Sequence, residues 1–134
     1  MSNKTTVYVT VPTGSRDRLY VNLFSFAASY LQKTTITCDK LKYRKSFQST
    51  GPSHNTLYGS DTVKGLQPDQ TYEFVVEMLH SNNNGASWQD NTVFGPVQST
   101  EGPCIHTTVV SEDAIDMDGN DSVVFFDLFV PGRH

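Results

Sequence analysis

From residue 65 to residue 132 the chain has no lysine or arginine, and only 18% of all its residues are charged. Cysteine is confined to Cys38 and Cys104, tryptophan to Trp88. Each scarcity excludes something. With net charge -4, pI near 5.4 and no basic stripe, the chain lacks the electrostatic footprint of a nucleic-acid binder. Its one basic run, "KLKYRK" at 40–45, reads as a solvated strand or loop face. Two cysteines so far apart match no metal-ligand spacing. They read as small thiols, or as a long-range disulfide if the compartment is oxidising. No apolar run approaches the ~20 residues of a membrane span. The first residues, "MSNKTTVYVTVP", hold no apolar signal core, so cytoplasmic synthesis without a classical signal is expected, with release or cell-surface display left open. Helical periodicity is nearly absent as well.

What is present is short apolar alternation. Hydrophobic residues make up 37% of 134, enough for one domain spanning residues 1–134 with its own core. "TTVYVTVP" sets Val7, Val9 and Val11 against Thr6, Tyr8 and Thr10, and "TGSRD" turns the chain. "RLYVNLFSFAAS", "KTTITC" and "KLKYRKSF" read as strands, the last an edge or half-wet one because of its charge. Residues 48–62 carry turn chemistry and one short strand. "TYEFVVEML" places Tyr72, Phe74, Val76 and Met78 on one face, "SNNNGASWQDN" is a long polar loop, and "TVFGPVQS", "CIHTTVV" and "SVVFFDLFV" complete the series. Roughly nine strands without helices between them predict an all-β, antiparallel β-sandwich with Greek-key connections. "LQPDQTYEFVVEM" also resembles the tyrosine-corner approach of fibronectin type III modules.

The chemistry lies in "SEDAIDMDGND". Glu112, Asp113, Asp116, Asp118 and Asp121 fall within ten positions, and Glu112, Asp116, Asp118 and Asn120 share one side of an extended backbone. Gathering such carboxylates without a counter-charge costs several kcal/mol, by order of magnitude. No nearby Lys or Arg can supply that charge. Hard oxygen donors without His or Cys favour Ca²⁺, which takes about six to eight such ligands. The opening Asp116-x-Asp118-x-Asn120 is that of an EF-hand, but the sixth position is Asp121 where glycine is required, the twelfth is Asp127, and the flanks are strands. The plain alternative is an acidic surface hairpin solvated by water.

In order and spacing, Ser111-Glu112-Asp113, two variable residues, Asp116-x-Asp118-x-Asn120-Asp121 and the closing strand "SVVFFDLFV" resemble the C-terminal signature of the bacterial two-calcium fucose/mannose-binding lectins of the LecB type. "TVP" and "LFSFAAS" near the start are similar too; the middle matches only as a pattern of strands, with a longer "SNNNGASWQDN". The resemblance implies that Glu112, Asp116, Asp118, Asn120 and Asp121 ligate a calcium pair, joined by the backbone carbonyl of Phe26. It makes Ala27, Ala28 and Ser29 the loop that tunes sugar preference, and Asp113 the acceptor of a sugar hydroxyl, with Asp116, Asp118 and Asp121 also meeting the sugar. Phe26 and the two alanines also read as plain core and turn. Family members end in a glycine whose carboxylate reaches a neighbouring subunit's site; Gly132 is the nearest match, followed here by Arg133 and His134.

The implied function is calcium-dependent carbohydrate binding, with fucose or mannose as partner, two Ca²⁺ per site, a homodimer or higher oligomer, and no catalysis. Carboxylates committed to calcium do not serve as a raised-pKa acid. A calcium-stiffened, fibronectin-like adhesin module without sugar binding is the rival. His54 and His80 fall in or beside loops, His106 on a strand and His134 at the end, none in a catalytic pattern. Trp88 reads as a half-buried packing residue, or else as a platform for a sugar face.

Overall fold

The computed structural model describes residues 3–15, 17–28, 30–50, 53–112 and 122–130, without the side chains of 26–28 and 53–55. Within these, ten strands and one 3₁₀ turn follow in order: β1 Lys4–Thr10, β2 Arg18–Ala28, β3 Leu31–Cys38, the turn Asp39–Leu41, β4 Tyr43–Gln48, β5 Ser53–Lys64, β6 Thr71–Ser81, β7 Gln89–Asp90, β8 Thr92–Glu101, β9 Cys104–Glu112 and β10 Ser122–Phe129. They form two antiparallel sheets. One runs β1-β6-β3-β4, with β7 added to β6; the other runs β5-β2-β10-β9-β8.

Alternation decides which side chains lie between the sheets. Val7, Val9, Tyr72, Phe74, Val76 and Met78 are buried from one sheet, and Leu19, Val21, Leu23, Val124, Phe126 and Leu128 from the other. Phe74 and Phe126 meet across the interface with ring centroids 5.8 Å apart. The charged strand β4 is an edge, as expected from its sequence, and exposes Arg44 and Lys45 while burying Phe47. Gln67 N–H donates to the Tyr72 hydroxyl at 2.8 Å, which realises the tyrosine corner. Cys38 is buried on β3, Cys104 is half-buried on β9, and both are free thiols.

Residues 53–64 differ from the expected turn and short strand. They form a twelve-residue edge strand, paired with β2 from Arg18–Lys64 to Ala28–Ser53 around a bulge between Leu23 and Phe24. A ladder is made by backbone groups, so an edge strand needs little side-chain alternation once a long partner offers its own. Gly59 also lets the Phe47 ring of β4 lie directly on the β5 backbone, closing one flank of the sandwich. The polar loop after β6 contains the two-residue strand β7.

The chain leaves β9 at Glu112 and re-enters β10 at Ser122, adjacent in register at Ser111–Ser122. Strand β2 runs past its last β10 partner, the pair Phe24–Val123, as far as Ala28. The 26–28 segment therefore lies at the same end as both roots of the acidic segment.

Candidate functional site

At this end the inward stripes of five strands change character. On β2 the series Leu19, Val21, Leu23 ends in Ser25, and on β3 Cys38 and Ile36 give way to Thr34 and Gln32. On β6 Phe74, Val76 and Met78 end in His80, on β9 Val109 ends in Ser111, and on β10 Phe126 and Val124 end in Ser122. All of these polar residues are buried. Such groups are tolerated inside a core only when they bond to one another.

Apart from Ser25, whose Oγ has no hydrogen-bond partner among the described residues, they do, through two hubs. Asn91, just before β8, donates from Nδ2 to Gln32 Oε1 at 2.9 Å and to Ser111 Oγ at 3.1 Å. Its Oδ1 faces His80 Nδ1 at 2.7 Å. With the amide nitrogen committed to two acceptors, the His80 ring must donate from Nδ1. His80 also stacks on Tyr30, with centroids 5.5 Å apart. Gln32 takes a bond from its own Nε2 to the Tyr30 carbonyl at 3.2 Å, and its backbone N–H donates to Ser49 Oγ at 2.8 Å. The second hub is the Tyr58 hydroxyl, bonded to Ser122 Oγ and, at 2.9 Å, to Thr34 Oγ1. Ser111 Oγ donates to the Ser122 carbonyl at 3.1 Å and joins the hubs. Burial raises the Tyr58 pKa above its ordinary value, while the hydrogen bonds from Ser122 and Thr34 act in the opposite direction.

Of the sequence-predicted ligands, Glu112 is the last residue of β9, paired with Thr92 and 1% exposed. Phe26, Ala27 and Ala28 are described as backbone, within β2 at the same end. Ser29, Asp113, Asp116, Asp118, Asn120, Asp121 and Gly132 lie outside the described residues. Among the described residues no group of three or more His, Cys, Asp or Glu is set to hold a metal ion. Glu112 fits a calcium ligand set all the same. It is a hard oxygen donor, it heads the acidic segment, and a carboxylate this deeply buried is stable only with positive charge or several hydrogen bonds around it.

His54 and His80, expected in or beside loops, are the second residue of β5 and the last but one of β6. His106 on β9 pairs through Nδ1 with Asp127 Oδ1, away from this end, and its Nε2 lies 2.9 Å from Thr108 Oγ1. Trp88 is half-buried, 3.7 Å from the position a Cβ on Gly85 would take, with Lys33 Nζ 5.2 Å from its ring centroid. Spacing passes over Gln32, Asn91 and Tyr58 entirely, and takes in Ser111 and Ser122 only as flanks of the acidic run, without a role. A visible signal existed in the polar residue that closes each otherwise apolar inward series.

The family model described as Fucose-binding lectin II (PA-IIL) matches residues 4–130. No curated protein sequence matches the chain. Among solved structures, the Chromobacterium violaceum lectin CV2L in complex with alpha-methyl-fucoside is similar at 21% identity and a TM-score of 0.61, over 90% of this chain and 93% of that one. A Ralstonia solanacearum high-affinity mannose-binding lectin gives 20% identity and 0.61 over the same shares. The C-terminal domain of the BC2L-C lectin from Burkholderia cenocepacia gives 17% and 0.61, over 92% and 96%. At these identities the three likenesses speak for a common fold.

Proposed function

Because the chain belongs to the fucose-binding lectin II (PA-IIL) family, and is a carbohydrate-binding lectin and not an enzyme, we propose that it binds fucose- and mannose-type monosaccharides through two calcium ions at the β9–β10 end. The observation that supports the metal is the buried hard-oxygen donor of Glu112 at the head of a segment with four more acids. Glu112, Asp116, Asp118, Asn120 and Asp121 hold the ions, with the Phe26 carbonyl as a further donor and Gly132 as the candidate contribution from a neighbouring subunit. When bound, the ions offer open coordination positions that vicinal hydroxyls can fill.

The chain's own part is recognition. Asp113, Asp116, Asp118 and Asp121 accept hydrogen bonds from sugar hydroxyls, each charge-assisted bond contributing roughly 1.5–3 kcal/mol. Ala27, Ala28 and Ser29 tune the preference among monosaccharides, as small residues with one hydroxyl between them. Assembly as a dimer or larger oligomer adds avidity towards glycan-coated surfaces.

Calorimetry with methyl fucoside and methyl mannoside, with calcium and then with excess chelator, tests this reading. Binding in calcium that disappears with chelator is expected; sugar binding that survives the chelator, or none in calcium, overturns it.

A further inference from the structure

The acidic segment 113–121 has two roots, Ser111-Glu112 at the end of β9 and Ser122 at the start of β10. Both are held by side chains remote in sequence. Asn91 Nδ2 bonds Ser111 Oγ at 3.1 Å, the Tyr58 hydroxyl bonds Ser122 Oγ, and Ser111 Oγ ties the roots together through the Ser122 carbonyl at 3.1 Å. Gln32, Thr34 and His80, from the opposite sheet, complete the bonding of the two hubs. The same cluster reaches the other ligand-bearing segment, since Tyr30 follows residues 26–29 and is held by the His80 stack and the Gln32 amide.

From this arrangement we propose that Asn91 and Tyr58 are positioning residues of the calcium site, fixing the separation and pitch of its two roots, Ser111-Glu112 and Ser122. The inference rests on the calcium-lectin reading above. An ordinary core needs no such device here: apolar residues at Gln32, His80, Ser111 and Ser122 would continue the packing of the stripes they terminate. Buried amides and hydroxyls give directional bonds, and directional bonds specify a geometry that apolar contact leaves loose. Groups that orient ligands without touching the metal typically change affinity about 10–100-fold when lost.

The experiment compares Tyr58→Phe and Asn91→Ala with Thr107→Val. Thr107 is buried on the same strand β9, and its hydroxyl is bonded to Gln98 at 3.1 Å, outside the polar cluster. Calcium affinity is measured by calorimetry alongside thermal stability in chelator. Tyr58→Phe and Asn91→Ala are expected to weaken calcium binding about 10-fold or more, and Thr107→Val less than about twofold, at comparable losses of calcium-free stability. At saturating calcium, methyl fucoside affinity should return close to wild type for the two frame variants. Calcium affinity that tracks stability equally in all three variants overturns the proposal and leaves the lectin reading standing. Wild-type protein that takes up no calcium overturns the reading and the proposal together. Tyr58→Phe removes one oxygen, so it decides the matter alone if Asn91→Ala does not fold.

Discussion

Asn91 and His80 lie 2.7 Å apart, amide Oδ1 to ring Nδ1, inside the polar end of a sandwich whose other end is apolar. The contact fixes a tautomer as well as a position, because Asn91 spends both amide hydrogens elsewhere. Replacing His80 with Phe preserves a ring against Tyr30 but leaves a buried carbonyl oxygen without its donor. Urea unfolding should show a loss of about 1–3 kcal/mol as a lower midpoint at unchanged slope. An unchanged midpoint would mean that the bond is dispensable.

Calcium should stabilise the folded chain by mass action. At a hundredfold excess over Kd the gain is about 2.7 kcal/mol for each ion bound, or roughly 10 °C in Tm per ion for a domain of this length. Asp118→Asn is expected to abolish most of that rise while leaving the Tm in chelator close to wild type, as read by differential scanning fluorimetry with and without the ion. A variant that keeps the full calcium response excludes Asp118 from the ligand set.

Cys104 sits far from this end, and its thiol is poorly reactive. Burial pushes its pKa from 9.0 to about 11, and the charge of Asp127 and the hydrogen bond its Oδ1 accepts from Sγ act in the same direction. At pH 8 alkylation by iodoacetamide should therefore be slow, with the rate climbing up to about pH 11, and Asp127→Asn should speed it at pH 8 by removing the negative charge. The unfolded chain releases this proton at lower pH than the folded one. The stability contribution is thus complete below about 9 and disappears as pH rises through about 11. Equal alkylation rates in the two proteins would refute the role given to Asp127.

Gly59 is the close contact between β4 and β5. A Cβ there falls inside the van der Waals envelope of the Phe47 ring, so Gly59→Ala should displace that ring and cost about 1–3 kcal/mol. Phe47→Leu combined with Gly59→Ala should recover part of the loss, because it takes the ring away from the new methyl group. A double variant no more stable than Gly59→Ala alone would place the strain elsewhere.

Strand pattern was legible wherever one face was apolar, as in the Tyr72, Phe74, Val76, Met78 series, because burial on one side imposes a period of two. It was not legible in "SHNTLYGSDTVK". That strand exists through its ladder to β2, and a sequence does not display its hydrogen-bond partner. The sequence places His80 only in or beside the loop that begins "SNNN" for a related reason: nothing local says that the strand continues to Ser81.

The sequence by itself determined the all-β class, the inward apolar stripes and the acidic composition of 112–121, since alternation and charge are properties of adjacent residues. Its ordered acids also carried the family resemblance, which the match over residues 4–130 bears out. Tertiary structure alone decided what supports the two ends of that segment. Gln32 and Asn91 are 59 residues apart and Tyr58 and Ser122 are 64 apart, all of residue types as common in loops as in cores. Only the pairing of strands into two facing sheets turns those scattered amides and hydroxyls into one bonded cluster, because a hydrogen bond requires its partners within about 3 Å and chain order sets no such distance.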